Sequence, residues 1–160
     1  MYSPVHATAG FFVARLVPHP VLGIVAAVAS HYLLDAVPHG DSHFGPWLKD
    51  LGRRNRIVAV ETLDLGSAAL MVTYLVATHP GRPVWYLVAG AVAGILPDLV
   101  WGLRYLLDTW RWNAPVIGWL LHQHDRLHNW GHAKASYDIS FMAGILSQAI
   151  VLGAVLILRL

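Results

Sequence analysis

Ile139-Ser-Phe-Met-Ala-Gly-Ile-Leu-Ser-Gln-Ala-Ile-Val-Leu-Gly-Ala-Val-Leu-Ile-Leu158 decides the class of fold. These 20 residues carry no charge, and a helix of about 20 apolar residues crosses a hydrocarbon core of about 30 Å. The rest of the chain agrees with that stretch. It is 56% apolar, only 12% charged, and has a mean hydropathy of +0.52, whereas water-soluble domains carry about twice that charge fraction. The sequence therefore predicts an all-α, polytopic integral membrane bundle of about five helices, forming a single domain over residues 1–160, with an added amphipathic segment at the interface.

Working back from this span, prolines and glycines cut the chain into helices. The first is expected over about Val5–Val17, ended by Pro18 and Pro20, and the second over about Pro20–Val37, with a small-residue face of Gly23, Ala26, Ala27, Ala29 and Ser30 suited to close packing in a membrane. A polar, basic loop covers Ser42–Asn55. A third helix follows over about Arg56–Thr78, and after the turn at His79–Pro83 a fourth over about Val84–Leu107. Pro97 lies inside the fourth, where it removes a backbone donor, invites a kink and opens carbonyls beside Asp98. Residues 108–138 are too polar to span, and Asn113-Ala-Pro115 predicts the start of an interfacial helix reaching Trp130, anchored by tryptophans. Val25–Asp35 and Ala89–Asp98 echo each other as small-residue helices ending in aspartate. That echo admits a repeat of helix pairs, or simply the commonness of small residues in membrane helices.

Lys and Arg set the orientation. With the loop after the second helix placed in the cytoplasm, that side holds eight of the eleven basic residues. The amino terminus is then cytoplasmic in the inner membrane and the carboxyl terminus outside. The start of the chain lacks the basic region of a secretory signal, so the first helix is expected to be retained. The net charge of +2 is explained by these membrane-edge residues, and no nucleic-acid partner is expected. Membrane lipid is the expected surroundings, with a homo-oligomer or a larger membrane assembly left open.

In this arrangement all nine Asp and Glu and eight of the ten His gather at one side. There is no cysteine, so a metal here must be held by imidazole and carboxylate. His31 and Asp35 are four apart and share a helix face, and Pro38-His39-Gly40-Asp41 follows as the chain leaves the helix. The pair reads either as metal ligands or as a helix-end aspartate bonded to histidine and facing water. Asp98 reads as a ligand or as a cap for backbone donors freed at the proline. Glu61 and Asp64, three apart, read as further oxygen ligands or a general base, or as ion-pair partners of Arg53, Arg54 and Arg56. His124, His128 and His132 fall at four-residue intervals beside Asp125 and Arg126, a pattern that suits ligation or an interfacial belt. His6 supplies a donor from the first helix, while His19, His43 and His79 are expected at the surface or in turns. No phosphate-binding glycine loop, serine elbow or His-Glu-x-x-His motif is present.

Three short elements carry a resemblance. They are His6-Ala-Thr-Ala-Gly10, His31-Tyr-Leu-Leu-Asp35 with its Pro and Gly turn, and Leu96-Pro97-Asp98. Together they resemble the small inner-membrane proteins assigned as metal-dependent hydrolases, the group that includes the LexA-regulated membrane protein of enteric bacteria, over roughly residues 5–132. The His31–His39 stretch is also similar to the His-x-x-x-Asp element of zinc-dependent phospholipase C. The resemblance implies a lipid or phosphoester substrate.

The expected function is a membrane-embedded hydrolase with one or two divalent ions, zinc first. His31, Asp35 and Asp98 are the first-choice ligands, with His6, His124 and His128 next. Glu61 or Asp64 would accept a proton from water, and Arg126 would clamp an anionic head group. Two rivals are a non-catalytic subunit of a membrane assembly and a metal or proton transporter. The transporter needs polar residues continuing to the far face, where His19, Thr73, Thr78 and His79 are nearly alone.

Overall fold

Helix is the only regular structure among the described residues, as the composition predicts. The computed structural model describes residues 2–40, 53–109, 115–134 and 139–157. They form α1 (Ser3–Leu16), α2 (Pro20–Asp35), α3 (Arg53–Thr78), α4 (Val84–Thr109), α5 (Pro115–Lys134) and α6 (Phe141–Ile157).

The helix ends have identifiable causes. α1 and α2 each carry proline in the first turn, where its missing N–H costs nothing. The Ser3 N–H at the head of α1 donates to both carboxylate oxygens of Asp64 on α3, at 3.1 Å each. α2 ends ahead of Pro38-His39-Gly40, and Gly40 takes a φ of +78°, a left-handed turn that glycine adopts freely. α4 runs without interruption through Pro97 to Thr109, two residues beyond the expected end.

The closing helix starts later than its charge-free stretch suggests. The Ser140 hydroxyl accepts from the Ala143 N–H at 3.3 Å, so Ile139 and Ser140 stay outside as the cap and its approach. The described helix is 17 residues. Among the described residues one segment, Val58–Thr78, is long and apolar enough to cross a membrane, at 21 residues; Pro20–Asp35, Val84–Val100 and Phe141–Ile157 are shorter apolar helices.

α1 is the middle of the bundle, packed against α4, α2, α3 and, more lightly, α6. Its contact with α4 is made backbone to backbone. A Cβ on Gly10 would lie 2.3 Å from the Gly90 carbonyl oxygen, and one on Gly94 would lie 2.3 Å from that of His6. Only small residues permit this approach. Phe11, Phe12, Ala68, Leu75, Leu87 and Ala91 form the apolar core beyond it. Large apolar side chains elsewhere face outward, among them Leu33, Leu63, Leu70 and Met142, each more than 70% exposed.

Candidate metal centre

Close approach of α1 and α4 sets the depth of His6, because the Gly94 surface of α4 receives the backbone of His6 itself. His31 and Asp35 reach the same point from α2, one turn apart on one face, and Asp98 reaches it from α4, one turn beyond Gly94. Three helices thus deliver two imidazoles and two carboxylates to one place.

The distances are compatible with ligands around one ion. His6 Nε2 lies 3.1 Å from Asp35 Oδ1 and 4.0 Å from Asp98 Oδ2. His31 Nε2 lies 3.1 Å from Asp35 Oδ2 and 3.6 Å from Asp98 Oδ1. Ligands at about 2.0–2.1 Å from a tetrahedral ion are separated by about 3.3 Å. One ligand atom from each of His6, His31 and Asp98 can be chosen so that all lie within 4.8 Å of one another, and this group could hold a metal ion. Asp35 sets one carboxylate oxygen against each imidazole, so it is placed beside that group as a further oxygen donor or a counter-charge.

The orientation of the rings separates this cluster from a simple hydrogen-bonded one. Both Nε2 atoms stand 3.1 Å from an Asp35 oxygen, yet neither makes a hydrogen bond of acceptable angle. Their in-plane directions therefore aim elsewhere than at the carboxylate. The two rings are stacked, centroids 4.0 Å apart and planes 27° apart, which presents both nitrogens side by side. His31 Nδ1 lies 2.9 Å from the Gly94 carbonyl oxygen. A carbonyl only accepts, so Nδ1 carries the hydrogen, and in the neutral ring Nε2 keeps its lone pair. That bond lands one turn before Asp98, in the turn of α4 that precedes Pro97.

Burial sharpens the electrostatics. His6 and His31 are fully buried and Asp35 is 3% exposed, while Asp98 is 38% exposed. A carboxylate buried among imidazoles, with a second carboxylate reaching the same two rings, favours a positive charge at that point. A metal cation, which this group could hold, would supply that charge. Asp98 marks the open side of the centre.

The remaining sequence candidates fall into three groups. His124 on α5 is buried at the edge of the centre, its ring centroid 5.9 Å from that of His31 and 5.9 Å from that of Tyr32. Glu61 is half-buried on α3, within electrostatic range of Asp98 and Asp64. Asp64 holds the Ser3 N–H and so caps α1. His39 is buried in the turn after α2, where its Nδ1 donates to the Val37 carbonyl and its own carbonyl accepts from Gln148; it is outside the metal group. His79 packs edge-on against Phe12, and His19 caps α2 at the exposed surface. Arg126 is exposed on α5. The side chains of His128, Asp125 and His132, and all of Asp41, His43 and Asp138, lie outside the described residues.

Two contributors were not singled out from the sequence. Gly94 acts through its carbonyl and its missing Cβ, and only the spacing Gly90-Ala-Val-Ala-Gly94 hints at it. Gln148, buried on α6, accepts from the Tyr2 N–H and donates to the His39 carbonyl, tying the last helix to both ends of the α1–α2 pair. A lone amide in a charge-free helix is the signal that points to it. No family model, curated protein or solved structure matches this chain, so function has to be argued from the centre's own chemistry.

Proposed function

We propose that this chain is a polytopic membrane protein of the inner membrane whose buried centre holds a divalent cation, zinc first, and hydrolyses a lipid or phosphoester substrate at the cytoplasmic face. The observation that carries the metal is the convergence of His6, His31, Asp35 and Asp98, with both Nε2 atoms against carboxylates but not hydrogen-bonded to them. Imidazole with carboxylate suits zinc. The outward-facing Leu33, Leu63, Leu70 and Met142 support lipid as the surroundings.

A bound divalent ion lowers the pKa of coordinated water toward neutrality and offsets charge developing on a substrate oxygen. The chain's own groups divide the remaining work. His6, His31 and Asp98 hold the ion, with Asp35 as fourth ligand or counter-charge. Glu61 is the better proton acceptor, because Asp64 is already occupied by a backbone donor. Arg126, exposed on α5, is available to an anionic head group. The small inner-membrane metal-dependent hydrolases remain the group to which this proposal assigns the chain.

Elemental analysis of detergent-purified protein tests the foundation. Wild type is expected to carry a divalent ion that His31→Ala lacks, and phosphodiester or phospholipid hydrolysis is expected to disappear in Asp98→Asn. Wild type that binds no divalent ion overturns the proposal. Bound ion with no hydrolysis in any lipid or phosphoester assay leaves a structural metal site instead.

A further inference from the structure

Tyr32 stands beside the centre. It follows His31 on α2, its ring edge-on to that imidazole with centroids 5.2 Å apart and planes at 78°. On the other side it meets His124 of α5, centroids 5.9 Å apart. The residue is half-buried and lies within electrostatic range of Asp35 and Asp98. Two histidine rings from different helices therefore fix the phenol beside the carboxylates. Its O–H makes no hydrogen bond to another described residue, in contrast to Tyr86, whose hydroxyl donates to the Val17 carbonyl at 2.7 Å.

A phenol flanked by the His31 and His124 rings, with a donor that no described residue accepts, is arranged to bind something that arrives at the ion site. We infer that Tyr32 is a ligand-binding residue of the centre, donating its O–H to an anionic oxygen, of carboxylate or phosphate type, coordinated on the ion. This rests on the proposal that the centre holds a divalent cation. The centre is accessible at Asp98, which is 38% exposed, while His6 and His31 are sealed. With the ion in place the two carboxylates no longer repel such an oxygen. A donor fixed in advance strengthens binding because no side chain has to be ordered on arrival.

The test uses full-length, detergent-purified protein loaded with Co²⁺, whose visible absorption reports its ligands, titrated with inorganic phosphate. Tyr32→Phe keeps the ring and its packing and removes only the hydroxyl, which no described residue hydrogen-bonds, so the variant is expected to fold. The cobalt spectrum before phosphate should match wild type. Phosphate should then bind about tenfold more weakly, the effect of one hydrogen bond to a charged oxygen. Equal phosphate affinity in the two proteins overturns the inference. So does a changed cobalt spectrum in the phosphate-free variant, which makes Tyr32 a support for His31 rather than a binding group. Wild type that holds Co²⁺ but shows no spectral response to phosphate overturns this inference and leaves the metal proposal standing, whereas failure to hold Co²⁺ removes both.

Discussion

Replacing Gly94 by alanine adds one methyl group where α1 and α4 touch, and the consequences reach the metal centre by a short route. The new Cβ would lie 2.3 Å from the His6 carbonyl oxygen, 3.1 Å from its carbon and 3.3 Å from Gly10 Cα. All three are backbone atoms and cannot rotate away. Ordinary contact is restored only if the two helices separate by about 1 Å, and overpacking of this kind costs about 1–3 kcal/mol. His6 rides on α1 and Asp98 on α4, and their facing atoms are already 4.0 Å apart. Separating the helices stretches that edge beyond what one ion spans, so divalent-ion affinity should fall about 10- to 100-fold, as when a supporting partner of a ligand is lost. Thermal denaturation and elemental analysis, run side by side on detergent-purified protein, measure both effects. Gly66→Ala is the control. Nothing lies within 4 Å of a Cβ there, and the substitution should be neutral or stabilising by up to about 1 kcal/mol. A Gly94→Ala protein that melts and loads metal as wild type does would refute the link between helix approach and ligand placement.

Two further substitutions separate structure from chemistry. Asp64→Ala strips the acceptor from the first N–H of α1 and should cost about 1 kcal/mol of stability while the metal stoichiometry stays unchanged; unchanged melting with lost turnover would instead make Asp64 the proton acceptor. Asp35→Asn should act with opposite sign on the two forms. It should weaken ion binding, but in chelator-treated protein it should raise the melting temperature, because it removes the repulsion between the Asp35 and Asp98 carboxylates around the empty centre. Chelation itself should lower the wild-type melting temperature, since an ion present at 100 times its Kd contributes about 2.7 kcal/mol. A melting curve indifferent to chelator in wild type would mean that no ion stabilises the fold.

The sequence made the helices and their polar end legible because proline, glycine and apolar runs act locally. His31 and Asp35 could be paired on spacing alone, four residues apart on one helix. Joining them to His6 and Asp98 required a common depth, and the hydrophobic runs supplied it. What the sequence could not supply was the second half of each contact. Asp64 is chemically as able to be a base as Glu61, and only its position opposite the head of α1 makes it a cap. His39 follows the ligand helix closely, yet Gly40 and Gly144 bring that turn against α6, and it is engaged there. Gly94 orients His31 through a carbonyl that every residue possesses, so nothing in its identity announces the role.

The position of the apolar core bears on whether the centre is an end or a passage. Along α1, His6 is followed within two turns by Phe11 and Phe12, buried with Leu75 of α3 and Leu87 of α4. A conduit for protons or ions needs polar side chains or water to continue from the centre through that layer, since charge in an apolar medium is prohibitively costly. Thr8 is the one buried polar side chain of α1 beyond His6, and its hydroxyl donates to the Pro4 carbonyl of its own helix. At the far end, the Tyr86 hydroxyl and the Arg82 guanidinium donate to the carbonyls of Val17 and Arg15, closing the chain ends of α1 and α4 together. Among the described residues, then, polar groups approach the centre from one side only, past Asp98, Glu61 and Tyr32. The hydrolysis proposed above needs such a mouth, by which substrate enters and product leaves.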